Sequence, residues 1–137
     1  MTEMFARVIP MLVATALFGA FSACSRATSG PGEVTDQQIA LAQGDSARVS
    51  TTVVQLVSLQ DSRCPSDVVC ITAGDVVIVL AFTGDNGIRT DTLRLTAEPR
   101  TTTYAGLTFQ PTDVAPYPNT KAPAASRTLT LRVTAAP

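Results

Sequence analysis

Residues 76–82 read VVIVLAF, and this continuous apolar run sets how the rest of the sequence is interpreted. The run is rich in β-branched residues and shorter than a typical globular helix, so it predicts a central β-strand covered on both faces. Residues 84–87 (GDNG) supply the Gly, Asp and Asn that favour a tight turn. Residues 88–96 (IRTDTLRLT) return as an amphipathic strand, so the sequence predicts a β-hairpin here.

Apolar and polar residues alternate with a period of two in the sequence on both sides of this hairpin. In residues 128–134 (TLTLRVT) the three aliphatic residues point one way, and Arg132 and the threonines point the other. Slipping the register by one residue would bury Arg132, so the register is well specified. Residues 115–125 are proline-rich, which excludes a central strand and predicts a long surface connection. Further strands are predicted at 37–42, at 48–59 (continuous or broken in the middle), at 101–104 and at 107–112.

Seven or eight short strands, with turn signals about every ten residues, favour an antiparallel β-sandwich of immunoglobulin-like type. A small β-barrel is the alternative. We therefore predict an all-β protein in three parts: a signal peptide at 1–23, a flexible tether at 24–36 and a single β-sandwich domain at 37–137. The tether is rich in Ser, Thr and Gly, and such a segment has a root-mean-square reach of roughly 20 Å.

The N-terminal segment is typical of an exported protein. Residues 8–21 (VIPMLVATALFGAF) are apolar or small apart from Thr15. The segment is shorter than the roughly 20 apolar residues that a membrane-spanning helix needs, and it fits the apolar region of a signal peptide. Translation from either Met1 or Met4 gives such a segment.

Residues 21–24 (FSAC) resemble the lipobox of bacterial lipoproteins, in which small residues precede a cysteine that is diacylated and becomes the new N-terminus. The resemblance implies that Cys24 carries the lipid, and two acyl chains hold a protein stably on a membrane. In that family, Ser25 after the cysteine implies the outer membrane. Phe21 stands where leucine is usual. The alternative is an ordinary secretory signal cut after Ser22, which would give a soluble periplasmic or secreted protein.

The composition excludes several classes of function. The net charge is −1 and no basic run occurs, whereas a nucleic-acid-binding domain presents a basic patch. The chain contains no His, so Ser–His and Cys–His catalysis lack their general base. All three Met residues precede Cys24, so the domain offers no thioether to a copper ion. We therefore predict no nucleic-acid partner, no metal, no cofactor and no catalytic constellation.

Cys64 and Cys70 bracket the segment CPSDVVC. Export places them in an oxidising compartment, where two nearby thiols are expected to pair, and the lipid accounts for Cys24 as the odd cysteine. A redox dithiol more typically has the spacing C-x-x-C. A structural zinc site needs four nitrogen or sulfur ligands, and only two are present. The sequence therefore favours a structural disulfide between Cys64 and Cys70.

The residues around this pair resemble a group of small uncharacterised bacterial lipoproteins and secreted proteins. Residues 61–74 match the shared pattern D-S-R-C-P-x-x-V-x-C-x-x-A-G, and residues 116–118 match a Pro-Tyr-Pro turn. The resemblance covers most of 53–133 and implies a β-fold and a disulfide, but no activity. Thr72 stands where the pattern usually has Trp or another bulky residue. If that residue forms a contact surface in the family, this chain lacks it.

The candidate interaction loop contains Asp61, Arg63, Ser66 and Asp67. In the structural interpretation, Asp61 accepts backbone N–H bonds in an Asx-type turn, and Arg63 pairs with Asp61 or Asp67. The disulfide then fixes the crossover into the core strand at Asp75. In the functional interpretation, the loop presents Arg63, Ser66 and Asp67 to a partner. The sequence leaves both interpretations open.

Three functional hypotheses follow. The first is a non-catalytic cell-envelope lipoprotein, anchored in the membrane through Cys24, that binds an envelope protein or a small ligand. The second is a secreted inhibitor or accessory factor that acts through the Cys64–Cys70 loop. The third is a carboxylate-dependent enzyme or a calcium-binding protein. It requires at least three aspartates to converge among Asp61, Asp67, Asp75, Asp85 and Asp113.

Overall fold

The computed structural model describes residues 36–122 and 126–137. The predicted signal peptide, the predicted lipid attachment at Cys24 and nearly all of the predicted tether lie outside these ranges. Every regular element in the described residues is a β-strand, and they include no helix long and apolar enough to cross a membrane. The strands are β1 Gln37–Ala42, β2 Ser46–Val49, β3 Thr52–Asp61, β4 Val76–Gly84, β5 Gly87–Arg94, β6 Thr102–Tyr104, β7 Leu107–Ala115 and β8 Thr128–Ala135.

The strands form two antiparallel sheets of four strands each. One sheet has the order β1-β8-β7-β6 and the other has the order β2-β3-β4-β5. The predicted all-β antiparallel sandwich is confirmed, and the sheets do not close into the alternative barrel. Neighbouring strands follow one another along the chain except at the β1–β8 pair. This order is simpler than the Greek key of immunoglobulin domains.

The core lies between the two sheets and is filled by alternate residues of each strand. In β4, Val76, Ile78, Leu80 and Phe82 are fully buried, as expected of a central strand. The residues between them are only half-buried, so the prediction that this strand is covered on both faces is wrong. A sandwich has two layers, and the described residues include no further strand or helix packed on the outer face of β4.

The opposite sheet completes this core. The predicted alternation in β8 is confirmed, because its three aliphatic residues are buried and Arg132 is exposed. Phe82 of one sheet and Phe109 of the other are both fully buried, with ring centroids 4.8 Å apart. Aromatic pairs at such distances add to the stabilisation from buried area alone. The sheets are therefore joined by aromatic packing at the centre of the core.

Two strands depart from the predicted boundaries. The predicted strand at 48–59 is broken, because the chain turns between β2 and β3 with Ser50 in the left-handed region at φ 55°. β7 continues past its predicted end at residue 112 as far as Ala115. It does so through a register shift between Pro111 and Asp113, the kind of irregularity at which a strand tolerates proline.

The two ends of the sandwich carry different features. Gln37 lies opposite Val133 at what we call the tether end, where the chain enters the domain. The Gly84–Gly87 turn lies at this end too, because the Tyr104 hydroxyl donates to the Gly87 carbonyl. Ala42 and Ala115 lie opposite Thr128 at what we call the loop end. Thr128 and Val133 are five residue steps apart along β8, which corresponds to about 17 Å of extended strand.

Candidate functional site

The stapled loop, residues 62–75, joins β3 to β4 at the loop end. Cys64 and Cys70 are disulfide-bonded with their Cα atoms 5.8 Å apart, so the predicted disulfide is confirmed. The two arms of the loop extend the pairing of the strands. The N–H of Ser62 donates to the carbonyl of Asp75, and the N–H of Cys64 donates to that of Ala73, both at 2.8 Å.

Gly74 allows the two arms to approach each other. Its φ is +70°, in the left-handed region that favours glycine. A Cβ atom at this position would overlap the backbone carbonyl of Ser62. Glycine is therefore required at the base of the stapled loop on both conformational and steric grounds.

Asp75 fixes the base of the loop to the strand that follows. Its Oδ1 accepts from the N–H groups of Val76 at 2.7 Å and Thr96 at 3.0 Å, and its Oδ2 accepts from Ala97 at 3.2 Å. Burial raises the pKa of Asp75, but these hydrogen bonds favour the ionised form more strongly, so the pKa lies below its ordinary value. The carboxylate acts as a backbone cap.

Asp61 is the centre of a buried ion cluster. Its side chain is 2% exposed and is held by a two-pronged contact from Arg63, with Nε–Oδ1 at 2.9 Å and Nη2–Oδ2 at 2.7 Å. Arg127 adds a second ion pair, with Nε 3.0 Å from Oδ2. Burial raises the pKa of Asp61, but the hydrogen bonds from Arg63 and the charges of both arginines hold it below its ordinary value. The Arg63 N–H also donates to Oδ1 at 3.1 Å, which confirms the Asx-type turn.

The two arginines attach the loop to the proline segment, residues 116–122. Arg63 Nη2 donates to the carbonyl of Val114 at 2.8 Å, and its guanidinium lies 4.4 Å from the ring centroid of Tyr117. That distance is typical of a cation–π contact. Arg127 Nη1 donates to the carbonyl of Pro116 at 2.7 Å. The cluster therefore joins three parts of the chain that are distant in sequence.

Ser66 and Asp67 attach the disulfide ring to the same proline segment. The Ser66 N–H donates to the carbonyl of Pro118 at 3.0 Å, and the Ser66 hydroxyl accepts from Asn119 at 3.4 Å. Asp67 accepts from the N–H of Thr120 at 2.9 Å and from its hydroxyl. These hydrogen bonds lower the pKa of Asp67. The sequence predicted that Arg63 pairs with either Asp61 or Asp67. The structure shows the pair with Asp61, and Asp67 binds Thr120 instead.

The candidate residues named from the sequence form the frame of the loop. The side chains that this frame displays are apolar. Val69 is 101% exposed and Ile71 is 105% exposed, while Val68 in the same loop is about half-exposed. Sequence reasoning overlooked the first two, although apolar residues inside a turn-rich, disulfide-closed segment are a usable signal. We call Val68, Val69 and Ile71 the apolar tip.

The aspartates do not form a metal site within residues 36–122 and 126–137. No group of three His, Cys, Asp or Glu side chains there is placed to hold a cation. Asp61 is occupied by arginines, Asp75 caps backbone N–H groups and Asp67 binds Thr120. The calcium hypothesis required three of these carboxylates to converge, and the described residues lack that arrangement.

A concave feature lies at the tether end. It is an open groove of about 580 Å³ lined in part by Ile88, Arg89 and Tyr104. Among the residues that the structure describes, Arg89 is the only charged side chain in the lining, and it is paired with Asp91 at 2.6 Å and bonded to Thr102 at 2.9 Å. Its guanidinium also lies 5.6 Å from the Tyr104 ring centroid. The groove therefore offers little uncompensated charge to a ligand.

The loop end thus combines a rigid polar frame with an exposed apolar tip. The frame consists of a disulfide, a buried carboxylate with two arginines, and hydrogen bonds to the proline segment. This arrangement can present a fixed shape to another surface. Comparison of the chain with protein-family models, with curated proteins and with solved structures finds no match.

Proposed function

We propose that this protein is a non-catalytic lipoprotein of the bacterial cell envelope, anchored through Cys24, whose sandwich domain binds a partner through the stapled loop. The observation that carries the proposal is the complete exposure of Val69 and Ile71 on a loop held in one shape. Exposed apolar side chains grouped on a surface mark interaction sites. A rigid loop also loses little conformational entropy on binding, which favours affinity.

The state of the carboxylates supports a binding role over a catalytic one. A general acid or base must be free to exchange a proton near the working pH. Asp61, Asp67 and Asp75 each accept two or more hydrogen bonds, and each has a lowered pKa. They are held ionised by their own neighbours. In the described residues these groups stabilise the loop instead of facing a substrate.

Anchoring is tested by intact-mass measurement of the protein extracted from bacterial membranes. We expect a chain that begins at Cys24 and carries the mass of its acyl groups. The Cys24→Ser variant should lose the lipid and leave the membrane fraction. A wild-type chain without lipid, recovered from the soluble fraction, would instead support the secreted inhibitor or accessory factor, which uses the same loop.

Binding through the loop is tested by amide hydrogen exchange. The protein in envelope vesicles prepared from cells is compared with the purified Cys24→Ser form in buffer. We expect additional protection in residues 66–72 of the envelope-bound protein and none around Ile88, which is equally aliphatic and 80% exposed at the tether end. Equal exchange of residues 66–72 in both samples would contradict a role for the stapled loop.

A further inference from the structure

We infer that the apolar tip docks into an apolar pocket of a partner protein. This partner lies on the side of the domain away from the anchoring membrane. This inference rests on the proposed function and adds the kind of partner and its direction. The alternative occupants are the anchoring bilayer and a second copy of this chain. Three features of the molecule favour the protein partner.

The first feature is the position of the tip relative to the tether. Asp36, the first described residue, forms an ion pair with Arg132 in the half of β8 nearer the tether end. The stapled loop projects from the opposite end, beyond about 17 Å of strand. A lipid on Cys24 therefore attaches the domain to the bilayer at its tether end, and the apolar tip lies at the end farther from this attachment point.

The second feature is the chemistry of the tip. Segments that bind a membrane surface combine Trp, Phe or Leu with clustered Lys and Arg, which are attracted to anionic lipid. Residues 64–72 (CPSDVVCIT) contain no Lys or Arg, and their one charged residue is Asp67. Arg63 next to them is paired with the buried Asp61. The segment that carries the tip therefore lacks the basic cluster by which such segments are attracted to anionic lipid.

The third feature is the size and shape of the tip. Stable interfaces between proteins bury about 1,200–2,000 Å² in total. Two copies meeting tip to tip would bury only three aliphatic side chains from each copy, and would bring the two Asp67 carboxylates close together. A pocket that surrounds a projecting loop contacts its sides as well as its tip. Val68, Val69 and Ile71 are then the expected contact residues.

The bilayer alternative is tested with tryptophan as a reporter, because the chain contains none. Val69→Trp and the control Ile88→Trp are prepared as full-length lipidated proteins in vesicles of phosphatidylethanolamine and phosphatidylglycerol. We expect the same emission maximum for Val69→Trp in vesicles as for its unlipidated Cys24→Ser form in buffer. Brominated lipids should quench Ile88→Trp more than Val69→Trp. A blue shift and stronger quenching at position 69 would overturn the inference in favour of the membrane.

The partner is tested by photo-crosslinking in living cells, with Val68→benzoylphenylalanine at the margin of the tip and Ile88→benzoylphenylalanine as the control. We expect an adduct with a different protein at position 68 only. Adding Ile71→Ser should reduce its yield on the order of 10- to 100-fold, the effect of losing one buried aliphatic side chain.

An adduct with a second copy or with lipid, or the absence of a protein adduct at position 68, would overturn the inference. These outcomes are distinguishable from failure of the proposed function. Acylated Cys24 together with protection of residues 66–72 would leave the envelope-bound binding module in place and remove only the protein partner. An unlipidated chain with no loop protection would remove both.

Discussion

Replacing Arg63 with methionine tests whether the buried ion cluster holds the loop end together. The variant keeps the aliphatic stem but leaves the 2%-exposed Asp61 side chain with Arg127 as its remaining charged partner. Removing one partner of a buried ion pair typically destabilises a protein by about 3–5 kcal/mol. Because Arg127 stays 3.0 Å from the carboxylate, we expect the lower end, about 3 kcal/mol. In a domain of this size the melting temperature should fall by roughly 12–24 °C.

The matched control is Arg132→Met. Arg132 forms the same two-pronged contact with Asp36, at 2.7 Å for the shortest N–O distance, but both side chains are 48% exposed. Exposed ion pairs are solvated and screened, so this variant should unfold at almost the same urea concentration as the wild type. The free energy of unfolding of all three proteins is measured by urea unfolding that is monitored by circular dichroism. If both variants lose the same free energy of unfolding, or if Arg63→Met loses less than about 1 kcal/mol, the buried ion cluster does not stabilise the loop end as argued.

Three further predictions concern the same loop. The folded-state pKa of Asp61 is lowered, so its stabilisation is complete above the unfolded value of about 3.9 and is lost as the pH falls through the lower folded value. As the pH is lowered below about 4, the urea concentration at the unfolding midpoint should therefore fall, and it should fall less in Asp61→Asn. Parallel profiles of the midpoint against pH in the two proteins would contradict this. The double variant Cys64→Ala/Cys70→Ala should lose about 2 kcal/mol of unfolding free energy while its circular dichroism spectrum keeps the β-signature. Gly74→Ala should lose more stability in urea than Gly44→Ala, which has positive φ but open space, and equal losses would exclude the steric clash.

The sequence predicted much of the fold because local alternation reports which side of a strand is apolar. The pattern in residues 128–134 and the apolar run at 76–82 both became core strands. The same pattern does not show how many layers cover a strand. Val77 and Val79 are half-buried because the sandwich ends at the outer face of β4, although their side chains are as apolar as the buried neighbours.

The candidate site was predicted in part. The disulfide followed from the cysteine count and spacing, and Asp61 formed the Asx-type turn expected of it. Neither the second ion pair from Arg127 nor the contact with Tyr117 has a local signature, because each joins segments far apart in the chain. The sequence could not decide between Asp61 and Asp67 as the partner of Arg63, because both are acidic and lie within four residues of it.

Short-range periodicity and spacing were enough to predict the approximate positions of the strands, the turn at 84–87 and the pairing of the two later cysteines. The pairing of β1 with β8 could be seen only in the folded chain, because these two strands lie at opposite ends of the sequence of the domain. The same holds for the exposure of Val69 and Ile71 to solvent. Apolar side chains enter a core when the backbone can bring them there. The disulfide, the two arginines that bind Asp61 and the proline segment hold this loop outward.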